Sequence, residues 1–88
     1  MVTAFVLVRA HRRAVNETAE ALLKVDGVAE VHSCAGEHDL VAVIRIKTHE
    51  ELAEIVTNRM LKLEGIEGTR TLVAFKSISK YDLDGLCG

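Results

Sequence analysis

The chain repeats itself once. Leu22-Leu23-Lys24-Val25-Asp26-Gly27-Val28 is matched 38 residues later by Met60-Leu61-Lys62-Leu63-Glu64-Gly65-Ile66. The same offset lays Val6-Leu7-Val8-Arg9 over Ile44-Arg45-Ile46-Lys47, and His11 over His49. Two copies are too few for a solenoid, which needs about three stacked units to bury a continuous core. They fit one domain made of two βαβ halves related by a pseudo-two-fold axis, and 88 residues leave no room for a second core.

Each half reads as strand, helix, strand. Val, Phe and Leu fill a first strand over Thr3 to Arg9. Val15, Ala19, Leu22 and Leu23 recur at helical spacing, predicting a helix over Val15 to Val25 with Gly27 as its stop. Strand two is expected over Val28 to Ala35 and strand three over Asp39 to Lys47, with Gly36-Glu37-His38 as a tight hairpin turn. Thr48 and Glu51 form a T-x-x-E capping box, opening a second helix whose face carries Leu52, Ile55, Val56, Met60 and Leu63. Gly65 is read as its end, and Thr69 to Ser77 as strand four. Residues 1–79 thus make the domain, and 80–88 a C-terminal tail whose Tyr81, Leu83 and Leu86 suit a final docking turn.

Two helices cover one face of a four-stranded sheet, so the other face should be polar if it meets water. It is not. Val6 and Val8 alternate with Phe5 and Leu7, Leu40 and Ile44 with Val41 and Val43, Leu72 and Ala74 with Val73 and Phe75. Leaving about six such side chains wet forgoes roughly 9 kcal/mol at ~1.5 kcal/mol each. That rivals the whole stability of a domain this size, about 5–13 kcal/mol. The bare face calls for a partner, most simply a second copy.

Eleven Lys and Arg stand against thirteen Asp and Glu, without the cationic surplus that phosphate neutralisation on a duplex requires. The one tight basic group, Arg9, Arg12 and Arg13 around His11, reads as a solvated loop. No apolar run approaches the ~20 residues of a membrane span, and Val2 to Val8 lacks a basic leader. Cys34 and Cys87 make no disulfide framework, which fits a reducing, cytoplasmic setting.

Catalytic groups are sparse. His32 and Cys34 alternate along strand two, but no CxxC or HxxxH accompanies them, so no metal is expected. His11 and His49 are explained by the repeat as residues near the start of each helix. His38 and Asp39 are adjacent in an extended run and point to opposite faces. Serines and threonines occur without an elbow or triad pattern, and no cofactor signature is present. Gly36-Glu37-His38-Asp39 is the more informative segment. Its glycine permits close backbone approach to a ligand, and its acids can hold an ammonium group, although Gly and Asp are also ordinary turn residues. Thr69 and Thr71 share one strand face, where their hydroxyls can meet a carboxylate or simply serve a β-branched position.

Taken in order, the hydrophobic first strand, Asp26-Gly27-Val28, Gly36-Glu37-His38-Asp39-Leu40, Leu63-Glu64-Gly65-Ile66 and Thr69-Arg70-Thr71-Leu72-Val73 resemble one family. The chain is similar, from about Val2 to Ser79, to the ligand-binding (RAM) domain of the Lrp/AsnC, or feast/famine, transcriptional regulators, in its stand-alone form. The resemblance implies an α+β fold: a ferredoxin-like βαββαβ sandwich with an antiparallel sheet in the order 4-1-3-2, of the dimeric α+β barrel type. It implies homodimers packed sheet to sheet, assembled into a ring such as an octamer or decamer, with an amino-acid effector bound between dimers. Gly36 and Asp39 would frame that pocket, Glu37 and His38 fill the variable middle of the G-x-x-D motif, and Thr69 and Thr71 match the polar start of strand four.

Family members that regulate genes directly carry an N-terminal helix-turn-helix, whereas here the first strand is read from Val2, leaving no recognition helix. The expected role is therefore an amino-acid-binding regulatory module without direct nucleic-acid contact, acting alone or in mixed assemblies with full-length Lrp/AsnC regulators. The rival is a small cofactor-free enzyme of the same barrel type, resembling monooxygenases and isomerases. Two Phe, one Tyr and no Trp offer little to line an aromatic-substrate pocket for it.

Overall fold

Residues 1–80 are described by the computed structural model, so the expected docking turn of the tail lies, beyond Lys80, outside the described residues. Alternation along β1 (Val2–Ala10) sets the core: Ala4, Val6, Val8 and Ala10 are buried on one face. β1 pairs antiparallel with β3 (Leu40–Ile46) on one side and with β4 (Ile66–Val73) on the other. β2 (Val28–Ser33) completes the sheet against β3, giving the order β2-β3-β1-β4, the 4-1-3-2 topology read from the other edge. Leu22, Leu52, Ile55 and Met60 from the two helical segments join Val6, Val8, Leu40 and Ile44 in one core.

The first helical segment starts with a 3-10 turn over Arg12–Ala14, capped by His11, whose Nδ1 accepts the Arg13 amide at 3.4 Å. α1 (Val15–Leu23) follows and stops two residues short of the expected Val25. Gly27 carries the backbone on at φ +97°, left-handed as its stop role requires. α2 (His49–Glu54) starts at the expected capping box: Thr48 Oγ1 accepts the Glu51 amide at 3.1 Å, and Glu51 Oε2 accepts the Lys47 amide at 3.4 Å.

Three expectations are corrected. The second helix is not α-helical to its end, because Ile55–Met60 winds as a π-helix, with the Leu61 amide bonded to the Val56 carbonyl. A five-residue hydrogen-bond step stacks residues five apart, which puts Ile55 and Met60 together in the core; α-helical winding would set them about 140° apart. Strand four spans Ile66–Val73 rather than Thr69 to Ser77. Ile66 pairs with Ala10, a bulge between Arg9 and Ala10 absorbs the Glu67-Gly68 step, and the Ala74 amide makes a final bond to Thr3 as β1 runs out. The hairpin is looser than a tight turn, since the Cys34 amide bonds the Asp39 carbonyl at 2.8 Å and leaves Ala35 to His38 as four loop residues.

The repeat survives in the backbone. Val25 N bonds Leu22 O and Val28 N bonds Val25 O; 38 residues on, Leu63 N bonds Met60 O and Ile66 N bonds Leu63 O. Leu22 and Met60, equivalent by the repeat, are both fully buried. Strict symmetry would place Ile66 against Val6, as Val28 lies against Ile44. It pairs with Ala10 instead, four residues along, so the two halves share a path but not a register.

The second sheet face carries no helix. Cross-strand pairing lines up His32, Val41, Leu7 and Arg70 in one row and Glu30, Val43, Phe5 and Leu72 in the next. Phe5 is 38% and Leu72 50% exposed at its centre.

Candidate functional site

Asp39 holds the β2–β3 loop at three points. Its amide donates to the Val8 carbonyl at 3.0 Å, and its carbonyl accepts the Cys34 amide. Its side-chain Oδ2 accepts the Ala10 amide at 2.9 Å, beyond Val8–Leu40, the last pair of the β1–β3 ladder. Oδ1 accepts no hydrogen bond from the described residues. Gly36, at φ +132°, makes the corner, in a backbone region that side-chain-bearing residues avoid. A Cβ there would meet nothing within 4 Å, so conformation rather than space demands the glycine. Glu37 is exposed at the loop tip, and His38 and Asp39 are half-buried.

Thr69 and Thr71 lie elsewhere. They pair with Val8 and Val6, so both point to the helix-bearing side of β4, at the sheet edge, half-buried. Asp39 and Thr69 thus flank Val8 from opposite sides, with β1 between them. One copy does not bring the loop and the threonines into a common pocket.

Two clefts among the described residues include none of these six. A cleft of about 900 Å³ lies at the opposite end of the sheet, floored by Gly27, Ile46 and Ile55 and rimmed by charged residues such as Asp26, Lys47 and Arg59. A second, of about 520 Å³, lies on the open sheet face beside Phe5, Arg45 and Ile78. Sequence reading missed the first because its polar rim is drawn from surface charges with no motif spacing. His32 stands on the open face, its Nε2 3.1 Å from Glu30 Oε1, while Arg45 Nη1 lies 3.5 Å from Glu30 Oε2. Glu30 was overlooked, although its i, i+2 spacing from His32 in a strand already placed them on one face. Cys34 lies past the end of β2 and directs its Sγ at the His32 carbonyl, 3.7 Å away. No three His, Cys, Asp or Glu side chains converge among the described residues.

The family model of the Lrp/AsnC ligand-binding domain matches residues 3–83. The chain belongs to that family. An uncharacterized HTH-type transcriptional regulator of Pyrococcus furiosus is 37% identical over 81 residues, 89% of this chain and 54% of that protein. This Lrp/AsnC domain therefore spans about half the length of the curated relatives it matches. A crystal structure from Thermus thermophilus is 46% identical with a TM-score of 0.85, covering 91% of this chain and all of the other. At 19% identity the transcriptional regulator–L-methionine complex of Neisseria meningitidis still superposes, with a TM-score of 0.80, over 89% of this chain and 52% of its own. The expected ferredoxin-like α+β fold is thus present in an Lrp/AsnC domain. No helix among the described residues is long and apolar enough to cross a membrane.

Proposed function

We propose that this domain is an amino-acid-binding regulatory module whose site is completed between copies. The Asp39 carboxylate carries the reading. One oxygen is fixed by the Ala10 amide while the other accepts no bond from the described residues, so a rigid anionic group stands beside the Gly36 corner. That arrangement suits an α-ammonium group. Gly36, Glu37, His38 and Asp39 form one wall, and Thr69 and Thr71, which lie across β1 in the same copy, supply hydroxyls from a neighbour. The domain dimerises through its open sheet face, and dimers join into a ring. It works as a sensor in the cytoplasm rather than as an enzyme, and reaches gene control through mixed assembly with full-length regulators. Residues 1–79 suffice for folding, with 80–88 as an appended tail. Support comes from membership in a regulator family and from the L-methionine bound by a structural relative.

A thermal-shift scan against the twenty amino acids, with assembly mass recorded for each, tests this. A ligand at 100 times its Kd adds ~2.7 kcal/mol of stability, a rise of roughly 10–20 °C for a domain this small. A selective rise, abolished by Asp39→Asn, is expected. No rise with any amino acid overturns the reading.

A further inference from the structure

Two dyads can pack the open sheet face against a second copy. An axis across the strands lays each strand over its own counterpart, gathering both Arg70 side chains along one edge of the interface and both Glu30 side chains along the other. An axis along the strands lays β2 over the partner's β4, so each Arg70 comes to a Glu30–His32 pair. We infer that the second arrangement forms, and that Arg70 paired with Glu30 across the dimer fixes its orientation. This rests on the proposed sheet-to-sheet dimer.

The charge pattern carries the inference. Register places Arg70 beside Leu7 on the open face of edge strand β4, and Glu30 beside Val43 on the open face of edge strand β2. The four strands between and including these edges put an apolar patch of Leu7, Val41, Phe5, Val43 and Leu72 at the centre. Such a patch drives association under either axis, because burial of apolar area is non-directional. Charge is what discriminates. Arg70 is exposed and has no hydrogen-bond or ion-pair partner among the described residues. The acid that register places on this face, Glu30, lies at the far edge, held by His32 and a 3.5 Å contact to Arg45, with all three side chains about half exposed. Like charges brought together at an interface are penalised and unlike charges set register, so the axis along the strands, which brings Glu30 to Arg70, is the favoured one. Two symmetry-related pairs then close the rim around the apolar patch.

Charge reversal in the 88-residue chain tests it, read by sedimentation equilibrium of the monomer–dimer step at low and high salt. Arg70→Glu and Glu30→Arg should each raise the dimer Kd about ten-fold or more at low salt, with the effect shrinking as salt screens the rim. The double variant Glu30→Arg/Arg70→Glu should return to near wild-type affinity, which also shows that the single variants fold. A wild-type dimer left unchanged by either single reversal, or not rescued by the double one, overturns the orientation while leaving the dimer intact. A chain that stays monomeric at all concentrations overturns the dimer itself.

Discussion

Asp39 Oδ2 accepts the amide of Ala10 at 2.9 Å, tying the head of β3 to the last residue of β1 across 29 positions of sequence. One side chain therefore serves both the sheet and the loop proposed to meet the ligand. Its two roles separate by substitution. Asp39→Ala strands the Ala10 amide and should cost about 1–3 kcal/mol in urea unfolding. Asp39→Asn keeps an acceptor oxygen and should cost under ~1 kcal/mol, yet lose the amino-acid-induced rise in Tm.

Gly65 marks a second close fit. A Cβ at this position would run into the Oγ1 and Cβ of Thr18, which is buried in α1. Gly65→Ala should therefore destabilise the domain by about 1–3 kcal/mol through overpacking. Thr18→Ala should recover part of that loss in the double variant, and a double-mutant cycle by chemical denaturation measures the coupling.

The open face offers a separation between folding and assembly. Phe5 sits there, 38% exposed in the single copy. Phe5→Ser should weaken dimerisation strongly in sedimentation, by about 2 kcal/mol or more for an aromatic anchor. The buried-face change Val6→Ala should instead lower stability by about 1–3 kcal/mol without a selective effect on assembly.

At the start of α2 the Thr48 hydroxyl accepts the Glu51 amide. Thr48→Ala should cost about 1 kcal/mol, while Thr48→Ser should be close to neutral, both by thermal unfolding.

The repeat, the capping box at Thr48 and the two-sided apolar strands made most of this fold legible in advance. They carry backbone periodicity, a local hydrogen bond and burial, each written in residues close together in the chain. The start of β4 was not legible, because Glu67-Gly68 looks like a turn until the bulge at Arg9 and Ala10 receives it. The π-helical turn was hidden too: Ile55 and Met60 each fit an apolar helix face in sequence, and only their joint burial requires wider winding. Of the proposed site, the loop between β2 and β3 was legible as a turn, but the bond of Asp39 to Ala10 was not, since a contact across 29 residues has no local signature. Thr69 and Thr71 shared a face as expected, on the far side of β1 from the loop.

The two helical segments join matched landmarks with the same number of residues, His11 to Leu22 and His49 to Met60, but spend them differently. The first tightens at its start into a 3-10 turn, and the second widens at its end into a π turn. Winding therefore acts as an adjustable spacer, and the second segment holds about one residue of slack. Deleting a single residue within Ile55–Met60 would let ordinary α winding take over with Met60 still reaching the core. The same deletion inside Val15–Leu23, which has no slack, would swing Leu22 by about 100° out of it. Change in chain length is thus tolerable in one half of an apparently symmetric domain and ruinous in the other.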